Sequence, residues 1–282
     1  MRGSRRVGIA AILALAAVNA DASAETLTLA GRTVSLEPPA GYCALDPARP
    51  KEAERIAFNE RMQQPRNHVL MQLADCDELA DFRNGKRDNF IRYGQYFTPV
   101  SDGTVKPFAG YTRASFLAEG AKELPKLDSA ALVDEVAAKL REGAGGAVAG
   151  AKFLGVLNED DAGLYLGIAV GNISVGNQTV SAGAMGIVGL TLVNQISVSL
   201  GLYQANAGPE AVPDMLSRVR QTLGSIVRAN ADNEARESPR YLWHGFDLEA
   251  IARQALIGGL IGAVIGLAGW AWTRFRKNRA GT

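Results

Sequence analysis

Cys43 and Cys76 are the residues whose type most directly offers covalent chemistry. An isolated pair of this kind reads as a disulfide in an oxidising compartment, with two reduced buried thiols as the alternative. Zinc lacks ligands here: only His68 is near in sequence, and no C-x-x-C exists. The two histidines, His68 and His244, sit beside no recognisable nucleophile motif, and G-x-S-x-G is absent. Asp75, Asp77 and Glu78 have the oxygens of a metal site, but a helix start uses acids in the same pattern. Glu159-Asp160-Asp161 reads as a solvated turn, since no EF-hand spacing surrounds it. The glycines Gly143, Gly145, Gly146 and Gly150 lack the G-K-[ST] of a phosphate loop and read as a plain loop. Phe90, Tyr93, Tyr96 and Phe97 cluster in sequence, as a ligand pocket or, more simply, as core. None of this implies a cofactor or a metal.

The strongest spacing signal is steric. Gly258, Gly262 and Gly266 recur every four residues, and Gly269 extends the same helical face. Removing side chains along one face lets another backbone approach closely. The repeat lies in Gln254 to Thr273, twenty residues without a charge, followed by Arg274, Arg276, Lys277 and Arg279. At ~1.5 Å per residue such a helix spans the ~30 Å bilayer core. The expectation is a transmembrane helix over 254–273 whose glycine face meets a second copy or another membrane protein. Its cations predict a cytoplasmic tail at 274–282, with Trp270 and Trp272 in the interfacial belt.

The opposite terminus carries Arg2, Arg5 and Arg6, the uncharged run Val7 to Val18, and Ala22-Ser23-Ala24. These are the three parts of a secretory signal, predicting a signal peptide over 1–24, with Ala20-Asp21-Ala22 as an alternative cleavage site. An uncleaved anchor is disfavoured by the short apolar run, and the twin-arginine match at Ser4-Arg5-Arg6 is partial. The expected location is the cytoplasmic membrane, single-pass, with the main domain periplasmic. The chain holds 30 Lys/Arg and 29 Asp/Glu; setting aside eight cations and one acid in the two ends leaves 22 against 28 in residues 25–250. A domain with that acidic balance is a poor fit to nucleic acid, which needs a basic footprint.

The positioning elements follow from periodicity. A hairpin turns at Gly31, a helix covers Pro50 to Met62, and a half-buried strand covers Asn67 to Ala74. Asp75 caps the next helix, with Glu78 three positions on as in a capping box. A strand covers Asn89 to Thr98, and a helix Ser129 to Glu142 with Ser129 as its N-cap. Two hairpins follow, 153–157 with 164–170 and 186–193 with 196–203, the second turning at Asn194-Gln195. In its last strand Ile196, Val198, Leu200 and Leu202 alternate with smaller or polar residues. A second span near 182–203 would set Asn194, Gln195, Ser197 and Ser199 in lipid, which disfavours it. Pro209 to Asn230 reads as an amphipathic helix with an apolar stripe from Val212 to Val227. The organisation is therefore an exported α+β domain over 25–229 and a linker over 230–253 before the apolar segment.

Thr33 to Tyr42 (TVSLEPPAGY) is similar to the strand-then-Pro-Gly opening of PsbP/Mog1-like domains. The late meander and the long helix ending at Asn230 resemble how that fold closes. The resemblance implies an antiparallel sheet flanked by helices, an α/β/α sandwich, used for binding and assembly. The function expected is thus a non-catalytic, membrane-anchored exported module that binds or assembles with a partner. The alternatives are an anchored periplasmic hydrolase and a binder of a lipid or small ligand. Replacing Cys43 by Ser should lower unfolding stability by ~3–4 kcal/mol if the pair is bridged, measured by urea titration.

Overall fold

A computed structural model describes residues 24–144, 146–175, 178–180, 183–231 and 253–264. The signal-peptide expectation and most of 230–253 lie outside these residues. The chain opens with hairpin strands β1 (Glu25–Leu29) and β2 (Arg32–Leu36). Ala30 and Gly31 turn it with φ of +48° and +74°, the backbone sign that matches the twist of a tight hairpin. Next come β3 (Tyr42–Ala44), α1 (Pro50–Gln63), β4 (Asn67–Asp75), α2 (Cys76–Arg83) and β5 (Arg92–Pro99). Helices α3 (Arg113–Glu123) and α4 (Ser129–Ala144) follow, then β6 (Gly146–Ala149), β7 (Lys152–Asp160) and β8 (Gly163–Val170). The short β9 (Asn172–Val175) and β10 (Gln178–Val180) precede β11 (Ala184–Val193), β12 (Ile196–Ala205) and α5 (Val212–Ala229). A last helix, α6, covers 253–264.

Seven strands form one antiparallel sheet in the order β3-β4-β5-β12-β11-β8-β7. The β11–β12 turn falls at Asn194 and Gln195, both with positive φ. The segment considered as a second span is this hairpin, and its strands carry no charge because they are covered on both faces. One face of the sheet packs Leu73, Tyr96, Leu200 and Leu202 on Met215, Val219, Leu223 and Ile226 of α5. The β1–β2 hairpin joins that layer through Val34 and Leu36. Asn230, at the end of α5, donates to Ser35 O at 2.9 Å and accepts from Ser35 N at 2.8 Å. On the other face, Phe97, Ile168, Val188 and Tyr203 pack with Phe116, Leu132, Leu140 and the apolar side chains of α6. The result is the expected α+β sandwich of helices on both faces of an antiparallel sheet.

Several expectations need correction. Segment 143–150 is not a loop throughout, since 146–149 pairs as β6 with β9. Asp128, not Ser129, caps α4, its carboxylate accepting from the backbone N–H of Ala130 and Ala131. The β7–β8 turn is only Asp161-Ala162, with Asp160 paired to Gly163. The aromatic cluster is split by strand alternation: Tyr93 and Phe97 face α6, while Tyr96 faces the α5 layer.

The largest departure concerns the segment expected to cross a membrane. Among the described residues no helix is long and apolar enough to do so. The described part of that segment is α6, and every residue from 255 to 264 is buried. A helix that is hydrophobic all round suits a protein core as well as lipid, so the uncharged run alone does not separate the two. Residues 265–282 lie outside the described part.

Ion pairs tie the first half of the fold. Glu52, almost fully buried, accepts from Arg83 Nε and Nη2, both at 2.9 Å, and from the Asp46 N–H at 2.8 Å. Burial works to raise its pKa, but the Arg83 and Asp46 hydrogen bonds outweigh it and hold the carboxyl below its ordinary 4.5. A depressed carboxyl contributes stability that is present above the unfolded value and lost as pH falls through the folded one. Glu52→Gln should therefore cost about 2 kcal/mol at neutral pH. It should also flatten the loss of stability below pH about 4.5, followed by urea unfolding across pH.

Candidate functional site

The feature of this fold with the most unusual chemistry is the groove that seats α6. Its floor is the sheet face made by Tyr93, Gln95 and Phe97 of β5, Tyr203 of β12, Val188 of β11 and Ile168 of β8. Asn59 and Gln63 of α1, with Asn67 at the start of β4, form one wall. Sequence alternation explains the shape. Gly201 and Gly186 leave space over which the Tyr203 ring lies, since a Cβ at either would strike it. Tyr93 packs beside that ring, with centroids 5.3 Å apart.

Buried carboxamides do the binding. Gln63 Nε2 donates to Gly258 O at 2.8 Å, and Gln95 Nε2 donates to the same oxygen at 3.2 Å. Behind them, Asn59 donates to Gln95 Oε1 and Asn67 to Gln63 Oε1 at 3.2 Å. Asn67 Nδ2 also reaches Gln254 O at 3.1 Å, and the Tyr93 hydroxyl donates to Ala263 O. Buried amides of this kind are costly unless they are bonded. Every acceptor on α6 is a main-chain carbonyl, so the groove reads a helix backbone and not a side chain.

The glycines make that reading possible. A Cβ at 258 would lie 2.5 Å from the Phe97 ring and 2.8 Å from the Asn67 amide. One at 262 would lie 2.5 Å from both Gln95 Nε2 and Tyr203 Oη. One at 259 would lie 2.6 Å from Val188 Cγ2. Gly258 and Gly262, expected to meet another membrane helix, are here packed on the chain's own sheet; Gly266 and Gly269 lie outside the described residues. Burial pushes the Tyr93 and Tyr203 hydroxyls well above their ordinary range, so both stay protonated.

A charged clasp closes the mouth. Glu135 of α4 accepts from Arg253 at 3.0 Å and from Arg66 at 2.5 Å. Lys139, one turn along α4, donates to Met62 O and Gln64 O at the end of α1. Burial, with the Arg66 charge next, lowers the Lys139 pKa. Three floor hydroxyls, those of Ser197, Ser199 and Tyr203, have no hydrogen-bond partner among the described residues.

The other candidates have structural employment. Cys43 and Cys76 form a disulfide that joins β3 to the start of α2. Asp75 caps α2 by accepting from Glu78 N at 3.2 Å and pairs with Arg92 at 2.9 Å. Glu78 does not complete a capping box; it accepts from Ile91 N at 2.6 Å and pairs with Arg87 at 2.6 Å. Asp160 accepts from Ala162 N, Gly163 N, Tyr165 Oη and Arg220 Nε, which fastens the β7–β8 turn to α5. Burial alone would raise its pKa, but those partners lower it. Arg55 donates to Asn89 Oδ1 between the Phe82 and Phe90 rings, at 5.2 and 4.8 Å, and burial takes its pKa down to about 10. Among the described residues no group of three His, Cys, Asp or Glu could hold a metal. His68 is exposed, and His244 lies outside the described residues.

No protein-family model matches the chain, and no curated protein matches it at a significant level. The similarity to PsbP/Mog1-like domains therefore stands on layout alone. The amides Asn59, Gln63, Asn67 and Gln95 escaped the sequence reading. The one signal for them was polar residues at positions that periodicity assigns to a buried face. Gly258→Leu should overfill the groove and lower stability by ~1–3 kcal/mol in urea titration. An unchanged midpoint would show that this face is not packed.

Proposed function

We propose that the chain is an exported, membrane-associated module that works by binding, and that its ligand is an apolar helix with glycines four residues apart. The observation that carries the reading is the convergence of two buried glutamine amides, Gln63 and Gln95, on a single main-chain oxygen of α6. A groove of this kind recognises a smooth helix face by shape and by backbone acceptors, as helix-in-groove recognition does. It needs small residues at the crossing but asks little else of the ligand sequence. In the structure the occupant is the chain's own α6; in assembly it would be the corresponding face of a partner helix. The disulfide supports work in an oxidising compartment. The basic stretch from Arg274 to Arg279 supports a membrane setting with the tail on the cytoplasmic side.

The test uses the full chain carrying Gly258→Leu and Gly262→Leu, which displaces its own helix. A labelled synthetic peptide of residues 251–275 is the probe. Saturable binding to this variant, and much weaker binding to the wild type, is expected. Adding Gln63→Ala should weaken it about tenfold, the equivalent of one hydrogen bond. Failure of the open variant to bind, or equal binding of a peptide with leucine at both glycines, would refute the reading.

A further inference from the structure

We infer that α6 has two mutually exclusive hosts, the sheet groove and a lipid bilayer, and that moving it into lipid is what empties the groove. This rests on the groove being a helix site, as proposed above, but adds a second destination for the helix and a condition for its release.

The exclusion is a matter of length. The uncharged segment covers 254–273. Twenty residues reach across the ~30 Å hydrocarbon core. With 254–264 held on the sheet, nine uncharged residues remain, 265–273. A lone segment crosses lipid only as a helix, and nine residues at a helical rise of ~1.5 Å would cover about 14 Å, half of what a span requires. A chain with α6 docked therefore cannot also cross a membrane with this segment, and a chain that crosses must leave the groove open.

Both hosts suit the same residues for different reasons. Lipid accepts Leu256, Ile257, Leu260, Ile261 and Val264 as apolar surface, and a helix in lipid satisfies its own carbonyls. The groove buries those side chains too, and adds donors from Gln63, Gln95, Asn67 and Tyr93. The groove has one further hold that lipid lacks, the clasp of Arg253 on Glu135. In the inserted state Arg253 would lie at the membrane surface, where an arginine is well placed. Release costs the groove four donors their partners and exposes an apolar sheet face. That cost favours the docked state in water and gives an incoming helix its binding energy once α6 has gone.

A covalent lock separates the two hosts. A Cβ at 259 would lie 3.7 Å from the Val188 Cβ, inside the ~3.5–4.5 Å window of a disulfide. Val188→Cys replaces two γ methyls, one of them 2.6 Å from that Cβ, by the single sulfur that forms the bond, and the Ile168 Cδ1 methyl at 2.8 Å is a flexible side-chain end that can turn aside. The full chain carrying Val188→Cys and Gly259→Cys, oxidised and confirmed as cross-linked by mass spectrometry, is mixed with vesicles of phosphatidylcholine and phosphatidylglycerol and floated on a density gradient. The wild type is expected on the vesicles, and the locked chain at least about tenfold less so. Glu135→Gln, which opens the clasp without touching the groove floor, should raise the vesicle-bound fraction. Equal flotation of locked and wild-type chains would overturn the inference, because membrane contact would then not need α6. Absence of the wild type from the vesicles would overturn it too, because the groove would be the only host. Neither result bears on whether the open groove binds the peptide, so failure here is distinct from failure of the proposed function.

Discussion

Two glutamine side chains, Gln63 from α1 and Gln95 from β5, donate to one buried carbonyl, Gly258 O, and set the terms for the groove between them. An amide in an apolar groove must find a partner or pay the cost of desolvation. The floor has little else to offer these two, so a backbone must come close. It can come close only where no Cβ intervenes, which is why glycine stands at 258, 259 and 262. The glycines Gly201 and Gly186 make room beneath the Tyr203 ring on the same floor, and α6 is buried against it from 255 to 264.

The charged groups divide differently from the way their types suggest. Acids that resemble ligands are tethers. Asp160 holds a hairpin to α5, Glu52 holds α1 to α2, and Asp75 and Glu78 hold α2 to β5. Glu135 instead sits where α6 begins and pairs with Arg253, at a position to influence whether that helix stays. The groove itself is neutral. That suits recognition of an apolar helix, since an unpaired charge there would be costly to bury.

Much of the architecture was legible in the residues. The alternation of Ile196, Val198, Leu200 and Leu202, and the turns at Gly31 and Asn194-Gln195, specify strands with a defined face. The stripe on α5 and the Cys43–Cys76 pair were equally plain. Helix α3 and strands β3, β9 and β10 went unread. Helix α3 has a modest apolar face and a Thr112–Ser115 cap that lacks the usual acid or glutamine, and the three strands are three or four residues long. The groove was half legible. Its helix was visible as an uncharged glycine-bearing run, but periodicity cannot say whether lipid, another helix or a sheet receives such a face. Its amides come from α1, β4 and β5, and only tertiary structure brings them to one oxygen.

The central claim is that α6 rests on the sheet in water. Amide hydrogen exchange on the full chain, in buffer without lipid or detergent, tests it most directly. An isolated helix of 253–264 is too short to protect its own amides. The account predicts that residues 258–264 exchange as slowly as β12, through global unfolding. Exchange of those amides at the rate of an unstructured chain would contradict it.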